Sequence, residues 1–324
     1  MPAPSIMICS MPLSADKALD SGGLPRILLV SDQRDWHARQ MEKALRAAGA
    51  RVARIDLADC GFDTQSPSGL SLPALGHRLP DAVLVRTLDK GSFEAITKRL
   101  GVLHALSDLG IPVWNDARAI ERCVDKSMTS FLLARRGVPT PPTWTLESID
   151  AARALVAREA KESPLVLKPL FGAQGRGLRL IRTLDDLPDP RTIAGVYYLQ
   201  RFQAVDGDGY RDFRLFVVRG RVVGAMMRSA ATWITNVTQG GKPIAAAPDA
   251  TMKSLAIAAA EAVGASIAGV DILVGVGGAP TVLEVNSMPA WSGLQKVSPR
   301  SIASEIATGL MGELALRPAS ARAL

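Results

Sequence analysis

Apolar positions recur along this chain with two periods, and the switches between them mark out its elements. The run RILLVSD (26–32) predicts a strand. WHARQMEKALRAAG (36–49) has helical spacing and stops at Gly49, while RVARIDL (51–57) alternates as a strand does. A loop rich in Ser, Pro and Gly (61–73) follows, and DAVLVR (81–86) predicts a further strand. FEAITKRLGVLHALSDLG (93–110) reads as an amphipathic helix, and IPVWN (111–115) as a short strand. Strands alternating with helices predict a small parallel α/β unit.

From about residue 116 the pattern changes. Helices near 117–136 and 149–161 flank the proline-rich GVPTPPTW (137–144). Strands are expected at 164–169, 178–182 and 196–202, then two hairpins (211–228 and 269–289) and helices near 249–264 and 299–314. The expected organisation is a flexible leader (1–24), an α/β domain (25–115), a central domain (116–200), a β-rich domain (201–314) and a tail (315–324). The class is mixed, α/β followed by α+β.

The segment PLVLKPLFGAQGRGLRLIR (164–182) places Gly172, Gly175 and Gly177 between two strands. So bare a loop lets backbone N–H groups approach an anion, with phosphate the usual guest. Walker and dinucleotide loops instead lead from a strand into a helix. A glycine loop joining two strands calls for a different phosphate-binding architecture.

The hairpins carry the chemistry. Centring the first on Gly220 puts Asp212 opposite Arg228, with Arg214 two residues along on the same face. This is either a cross-strand ion pair on a solvated face or part of a site. Centring the second on Gly277-Gly278, a good hairpin turn, puts Asp271 opposite Glu284 with Asn286 on the same face. Carboxylates ~5 Å apart repel without a counter-ion. Two carboxylates and an amide oxygen form a hard-oxygen set that suits magnesium, whose other ligands are water and phosphate.

Composition narrows the classes. The net charge of +7 comes from 38 basic and 31 acidic residues with no long basic run, and aromatics are only 5%. Nucleic-acid binding asks for a basic face interleaved with aromatics, so an anionic small molecule explains the charge better. No apolar stretch approaches the ~18 residues of a membrane span. The start of the chain lacks the basic segment of a secretory signal. Cys9, Cys60 and Cys123 are odd in number and share no short spacing, which fits a reducing cytoplasm better than disulfides or zinc. His37, His77 and His104 have no ligand spacing and read as structural or surface residues.

Lys168 before the glycine loop, Lys126 in CVDKSMTSFLLARRGVPTPPT, and GVDILVGVGGAPTVLEVNSMP together resemble the ATP-grasp superfamily, in particular its RimK-type branch. The resemblance spans roughly residues 80–310. It implies an ATP-grasp fold of three domains: a parallel α/β N-terminal domain, a glycine-loop lid domain and a β-rich metal and nucleotide domain. It also implies ligation of an amino acid, mostly L-glutamate, to a carboxylate through an acyl phosphate. Members act on small acids, pterin-type and other cofactors and a ribosomal protein tail, and cofactor glutamylation of the methanopterin kind is the favoured case. Other readings left open are a D-alanine–D-alanine-like ligase and an ATP-binding sensor without turnover.

Carried over by resemblance, Lys126 and Lys168 contact ATP phosphates, and Gly172, Gly175 and Gly177 form the lid. Gln200, Arg201, Phe202 and Gln203, in LQRFQ (199–203), supply the hinge whose backbone recognises adenine, and Asp212 meets the ribose. Arg228 faces the transferred phosphate. Asp271, Glu284 and Asn286 bind two magnesium or manganese ions. Arg86, Asn236 and Ser287 are candidate substrate residues. Members are usually dimers or tetramers, and neither nucleic acid nor membrane is an expected partner. Departures from the pattern are Arg201, where an acidic residue is common, Ile234, where an arginine is expected, and Ala290 in place of a glycine. The last two point to an unusual acceptor.

Overall fold

The computed structural model describes residues 23–76, 78–172, 174–207 and 209–317. Most of the expected leader (with Cys9), His77, Ala173 of the glycine loop, and residues 318–324 of the expected tail lie outside the described residues.

The N-terminal unit runs β1 (Arg26–Val30), α1 (Trp36–Ala47), β2 (Arg51–Ile55), β3 (Gly61–Phe62), β4 (Leu70–Ser71), β5 (Ala82–Val85), α2 (Phe93–Asp108) and β6 (Val113–Trp114). Its main sheet is parallel in the order β2-β1-β5-β6. Both faces of β1 and β5 are covered, which is why these strands read as continuous apolar runs. The expected loop 61–73 holds the small hairpin β3–β4. The chain leaves β1 toward β2 on one side and returns to β5 on the other. That makes the carboxyl ends of β1 and β5 a topological switch point, where α/β sheets open a crevice.

Next come α3 (Ala117–Val124), α4 (Lys126–Arg135), β7 (Thr143–Leu146), α5 (Ile149–Glu159), β8 (Leu165–Lys168), β9 (Arg179–Ile181) and β10 (Tyr197–Arg201). The one helix expected over 117–136 is broken at Asp125, whose Oδ1 accepts from the N–H groups of Ser127 and Met128 and starts a new helix at Lys126. The lid sheet, in the order β7-β10-β8-β9, packs on α5 through Leu155, Leu167 and Leu199. By contrast, Cys123 and Leu133 of α3 and α4 bury against Leu215, Ala256 and Val285 of the C-terminal unit. By packing, then, the stretch from 116 to about 138 belongs with the C-terminal unit rather than the lid.

The remainder is β11 (Tyr210–Val218), β12 (Arg221–Ala230), β13 (Lys242–Ala245), α6 (Ala250–Val263), β14 (Ile267–Val274), β15 (Pro280–Asn286), α7 (Ser292–Gln295) and α8 (Ile302–Leu316). The strands form one antiparallel sheet in the order β13-β12-β11-β14-β15. Both predicted hairpin pairings occur, but by an unexpected route. The Arg219-Gly220 turn has both residues at positive φ (45° and 67°) and pairs Val217 with Val222. Continued unchanged, that register would place Asp212 opposite Met227. A one-residue bulge at Val223 shifts it, and Asp212 meets Arg228. In the second hairpin Ile272 pairs with Val282, and a bulge at Leu283 brings Asp271 opposite Glu284. Without the bulges each charged set would meet the wrong face.

Helix α8 crosses back to α1, so Leu45 and Ile306 share one core between the first and last units. No helix among the described residues is long and apolar enough to cross a membrane. Asn115, buried just after β6, ties the same units together. Its Nδ2 donates to the carbonyls of Ile267 (2.6 Å) and Ser287 (2.5 Å), and its Oδ1 accepts from Ile267 N (2.9 Å). Asn115→Leu strands these backbone groups, and we expect a stability loss of about 1–3 kcal/mol, read from denaturant unfolding. An unchanged midpoint would remove Asn115 from this role.

Candidate active site

The two bulged hairpins place their charges on one face of the sheet. Arg228, on β12, directs Nε (2.8 Å) and Nη2 at the two oxygens of Asp212. Its Nη2 also lies 3.1 Å from Asp271. Arg214, on β11, makes a two-point pair with Asp271 at 2.7 and 2.6 Å. Exposure is only 2% for Arg228, 3% for Asp212 and 4% for Asp271. Burial works against the Arg228 charge, but Asp271 and Asp212 outweigh it and raise its pKa. Burial likewise disfavours charge on Asp271, yet Arg214 and Arg228 hold its carboxyl below the usual carboxylate range. The solvated-face reading of Asp212 and Arg228 is thereby replaced by a buried network, and Arg214 joins the site.

Two lysines approach from other elements. Lys126, the first residue of α4, donates to Gly172 O (2.7 Å) at the head of the glycine loop and lies 3.8 Å from Glu284. Lys168, at the end of β8, donates to Gln200 Oε1 (2.6 Å). Behind Gln200, its Nε2 donates to Thr143 Oγ1 and to the Tyr198 hydroxyl, which pairs with Ser130 Oγ. Burial is the main influence on Lys168; with the nearby Lys126 it lowers the ammonium pKa to about 8, against Glu284 and Asp271. The glycine loop packs on residues 234–239. Gln239 Nε2 donates to Gln174 O (3.2 Å), and a Cβ on Gly175 would fall 2.4 Å from Asn236 Oδ1 and 2.9 Å from Ile234 Cγ2. Ile234, the departure noted in the sequence, thus lies under the loop.

The structure gives several of the expected site residues side-chain partners of their own. Both oxygens of Asp212 accept from Arg228 in a buried pair, which makes Asp212 the counter-ion of that arginine. The Arg201 side chain turns away onto Glu159 and Glu162 of the α5 end. Gln200 directs its side chain at Lys168, and the hinge N–H groups of Arg201 and Phe202 are used by Pro142 O and Pro164 O. Ser287 is buried because strand period two turns it from the face that holds Asn286, and its carbonyl is taken by Asn115. Phe202 packs edge-on against Trp233 at 6.1 Å. Arg86 lies apart at the switch point, 8% exposed, donating to Met288 O (3.4 Å).

The oxygen set suits a divalent cation. Asn286 Nδ2 donates to Gly269 O (3.4 Å), which leaves the amide oxygen as its ligand atom. Glu284 is half-buried and stands directly across from Asp271, whose Oδ1 accepts only one bond and keeps a lone pair. Among the described residues no three His, Cys, Asp or Glu side chains converge as a cage. The set is therefore incomplete by itself and suits magnesium, which takes its remaining ligands from water and phosphate. Four cations (Lys126, Lys168, Arg214, Arg228) face three carboxylates (Asp212, Asp271, Glu284), an excess suited to a polyphosphate.

Lys168 gives a direct check. Its Cε resonance should titrate with a midpoint near pH 8, the charged form being lost as pH rises through that value. Gln200→Leu removes the acceptor that favours the ammonium and should lower the midpoint further. A midpoint above 10 in both proteins would exclude the desolvated environment.

The description "RimK-like ATP-grasp domain" matches residues 123–310, more than half of the chain. A tetrahydromethanopterin:alpha-L-glutamate ligase of Methanococcus maripaludis is 31% identical over 87% of this chain and 96% of its own length. A probable alpha-L-glutamate ligase of Sodalis glossinidius is 32% identical over 90% and 98%. The ATP-grasp ligase PsnB, solved with a minimal precursor, Mg and ADP, superposes with a TM-score of 0.69 at 22% identity, covering 89% of this chain and 98% of PsnB. The expected fold is therefore present, and the chain belongs to the RimK-like ATP-grasp family.

Proposed function

We propose that this protein is an ATP- and magnesium-dependent carboxylate–amine ligase. It adds L-glutamate to the carboxyl group of a small acid or cofactor and releases ADP and phosphate. The observation that carries this reading is the single sheet face on which Arg214, Arg228, Lys126 and Lys168 surround Asp271, Glu284 and Asn286 beside a glycine loop. A pterin-type one-carbon cofactor is the favoured acceptor, because the methanococcal relative named for that activity aligns along nearly its whole length.

The chemistry follows from charge. A substrate carboxylate oxygen attacks the γ-phosphorus, the bond to the bridging oxygen of ADP breaks, and an acyl phosphate results. The glutamate amine then attacks the acyl carbon, phosphate leaves, and the amine proton passes to solvent. Lys126, Lys168 and the Nη1 edge of Arg228, which neither ion pair uses, neutralise the transferred group. Asp271, Glu284 and Asn286 would hold magnesium, which supplies Lewis-acid polarisation of the phosphoryl oxygens. Arg86 binds a carboxylate of the organic substrate, and Asn236 borders the acceptor side beneath the glycine lid. Cys123 is no nucleophile: burial pushes its thiol up to about 12.

The products test the mechanism. ADP and phosphate should appear only with a suitable acid and amine, and hydroxylamine should intercept the activated acid as a hydroxamate. AMP and pyrophosphate would refute the acyl phosphate, and no turnover with any acid–amine pair would favour a sensor. Glu284→Gln should leave the fold intact and lower kcat by at least about 100-fold, since metal charge stabilisation amounts to several kcal/mol. Near-normal turnover in that variant would sink the metal assignment.

The lid makes a second prediction. Gly175 lies at φ 69°, where a side chain costs ~1–2 kcal/mol, and the added methyl would press on Asn236 and Ile234. Gly175→Ala should therefore lower kcat/KM for ATP by about tenfold, with Tm lowered by no more than a few degrees. Wild-type kinetics would show that the loop's packing on residues 234–239 is dispensable.

A further inference from the structure

His37, at the start of α1, spans two units of the fold. Its Nε2 lies 3.2 Å from the backbone nitrogens of both Trp291 and Ser292. Both nitrogens donate, so Nε2 carries no proton. The proton is on Nδ1 and is directed at Asp35 Oδ2, 3.0 Å away. Asp35 also caps α1 through Ala38 N (2.7 Å) and lies 3.9 Å from Arg86 Nη2. The imidazole is wedged edge-on between Trp36 (5.0 Å) and Trp291 (4.7 Å).

Arg86 grips the same loop from the β5 side. It donates to Met288 O and stacks over the Trp291 ring at 5.2 Å. It also lines a cavity of about 20 Å³ with Ser287, Met288, Pro289 and Trp291. Its Nε is buried with no partner. The loop 287–292 is the direct continuation of β15, the strand of Glu284 and Asn286. One histidine thus takes the loop's N–H groups while the neighbouring arginine takes a carbonyl and keeps a donor unused.

We infer that His37 is a positioning residue for the organic-acid subsite: its neutral imidazole clips loop 287–292 to the N-terminal unit and so sets Arg86 against the strand that bears the metal ligands. This rests on the reading of Arg86 as the carboxylate clamp. The clip needs an acceptor able to take two N–H groups at once, which a protonated imidazole is not. The charged groups facing His37 are Asp35, at the cap of α1, and Arg86, after β5; Trp36 and Trp291 contribute no charge. Burial and the Arg86 charge lower the His37 pKa, and Asp35 only partly opposes them. The clip is therefore complete at neutral pH and lost as pH falls through a value below the usual histidine pKa.

Glutamine can place an amide oxygen where Nε2 sits and does not titrate, so His37→Gln separates shape from charge. In the full-length wild type, the amide resonances of Trp291 and Ser292 should titrate together, with a midpoint below the ordinary histidine value of ~6.5. In His37→Gln they should not. In steady-state kinetics the wild-type KM for the organic acid should rise on the acid side, and His37→Gln should abolish that rise at a near-normal neutral value. His37→Leu should raise this KM roughly tenfold, as expected for the loss of one or two hydrogen bonds, with KM for ATP unchanged. Amide titration persisting in His37→Gln, or equal changes in both KM values, would overturn the proposal. Should His37→Leu not fold, the His37→Gln pH profile decides alone. If no acid is turned over, the ligase reading fails, while the amide titration still decides the clip.

Discussion

The buried pairing of two arginines with two aspartates on one sheet face is the constraint on which the rest of the molecule depends. Asp212 and Asp271 can lose water only because Arg228 and Arg214 bring matched donors to them. Removing one member leaves an uncompensated buried charge, at a cost of about 3–5 kcal/mol. This network fixes both bulges, because a slip of one residue in either hairpin would put Met227 or Leu283 where a charge is needed. It also holds Asp271 ionised beside Glu284, which is the condition for an oxygen site there.

Around that face the other units act as suppliers. Helix α4 starts at Lys126 because Asp125 ends α3, so the lysine projects from a helix start onto Gly172 and Glu284. The lid sheet supplies Lys168 already oriented by Gln200 and the Tyr198–Ser130 pair. The N-terminal sheet meets β15 at its switch point, where Asn115, Arg86 and His37 all bind the backbone that follows that strand. A site assembled from three units is geometrically defined only if each unit is tied to the others, and buried side-chain-to-backbone bonds do that here. At the far end of β10, Arg201 is anchored on α5 through Glu159.

The sequence by itself determined whatever is local. Hydrophobic period settled nearly every strand and helix, since burial of one face is repeated every few residues. It also determined the glycine loop between two strands and the pairs Asp212–Arg228 and Asp271–Glu284, because a hairpin ties its register to a turn only a few residues away. In each hairpin a one-residue offset in the turn is cancelled by the one-residue bulge, so a register centred on Gly220 or on Gly277-Gly278 gives the observed pairs. The short strands β3, β4, β7 and β13 and the break at Asp125 were not legible, because each depends on a neighbour rather than on a period.

Only the tertiary structure decided which charges share a partner. Arg214 and Asp271 are far apart in sequence and meet because β11 pairs with β14 rather than with another strand. The burial of Asp212, the turning of Arg201 onto Glu159, the seclusion of Ser287 and the roles of His37 and Asn115 likewise follow from contacts between units. Period and spacing tell which side of an element a residue occupies. They cannot tell what packs against that side, and for ionisable groups that neighbour decides whether a charge is kept, neutralised or turned away.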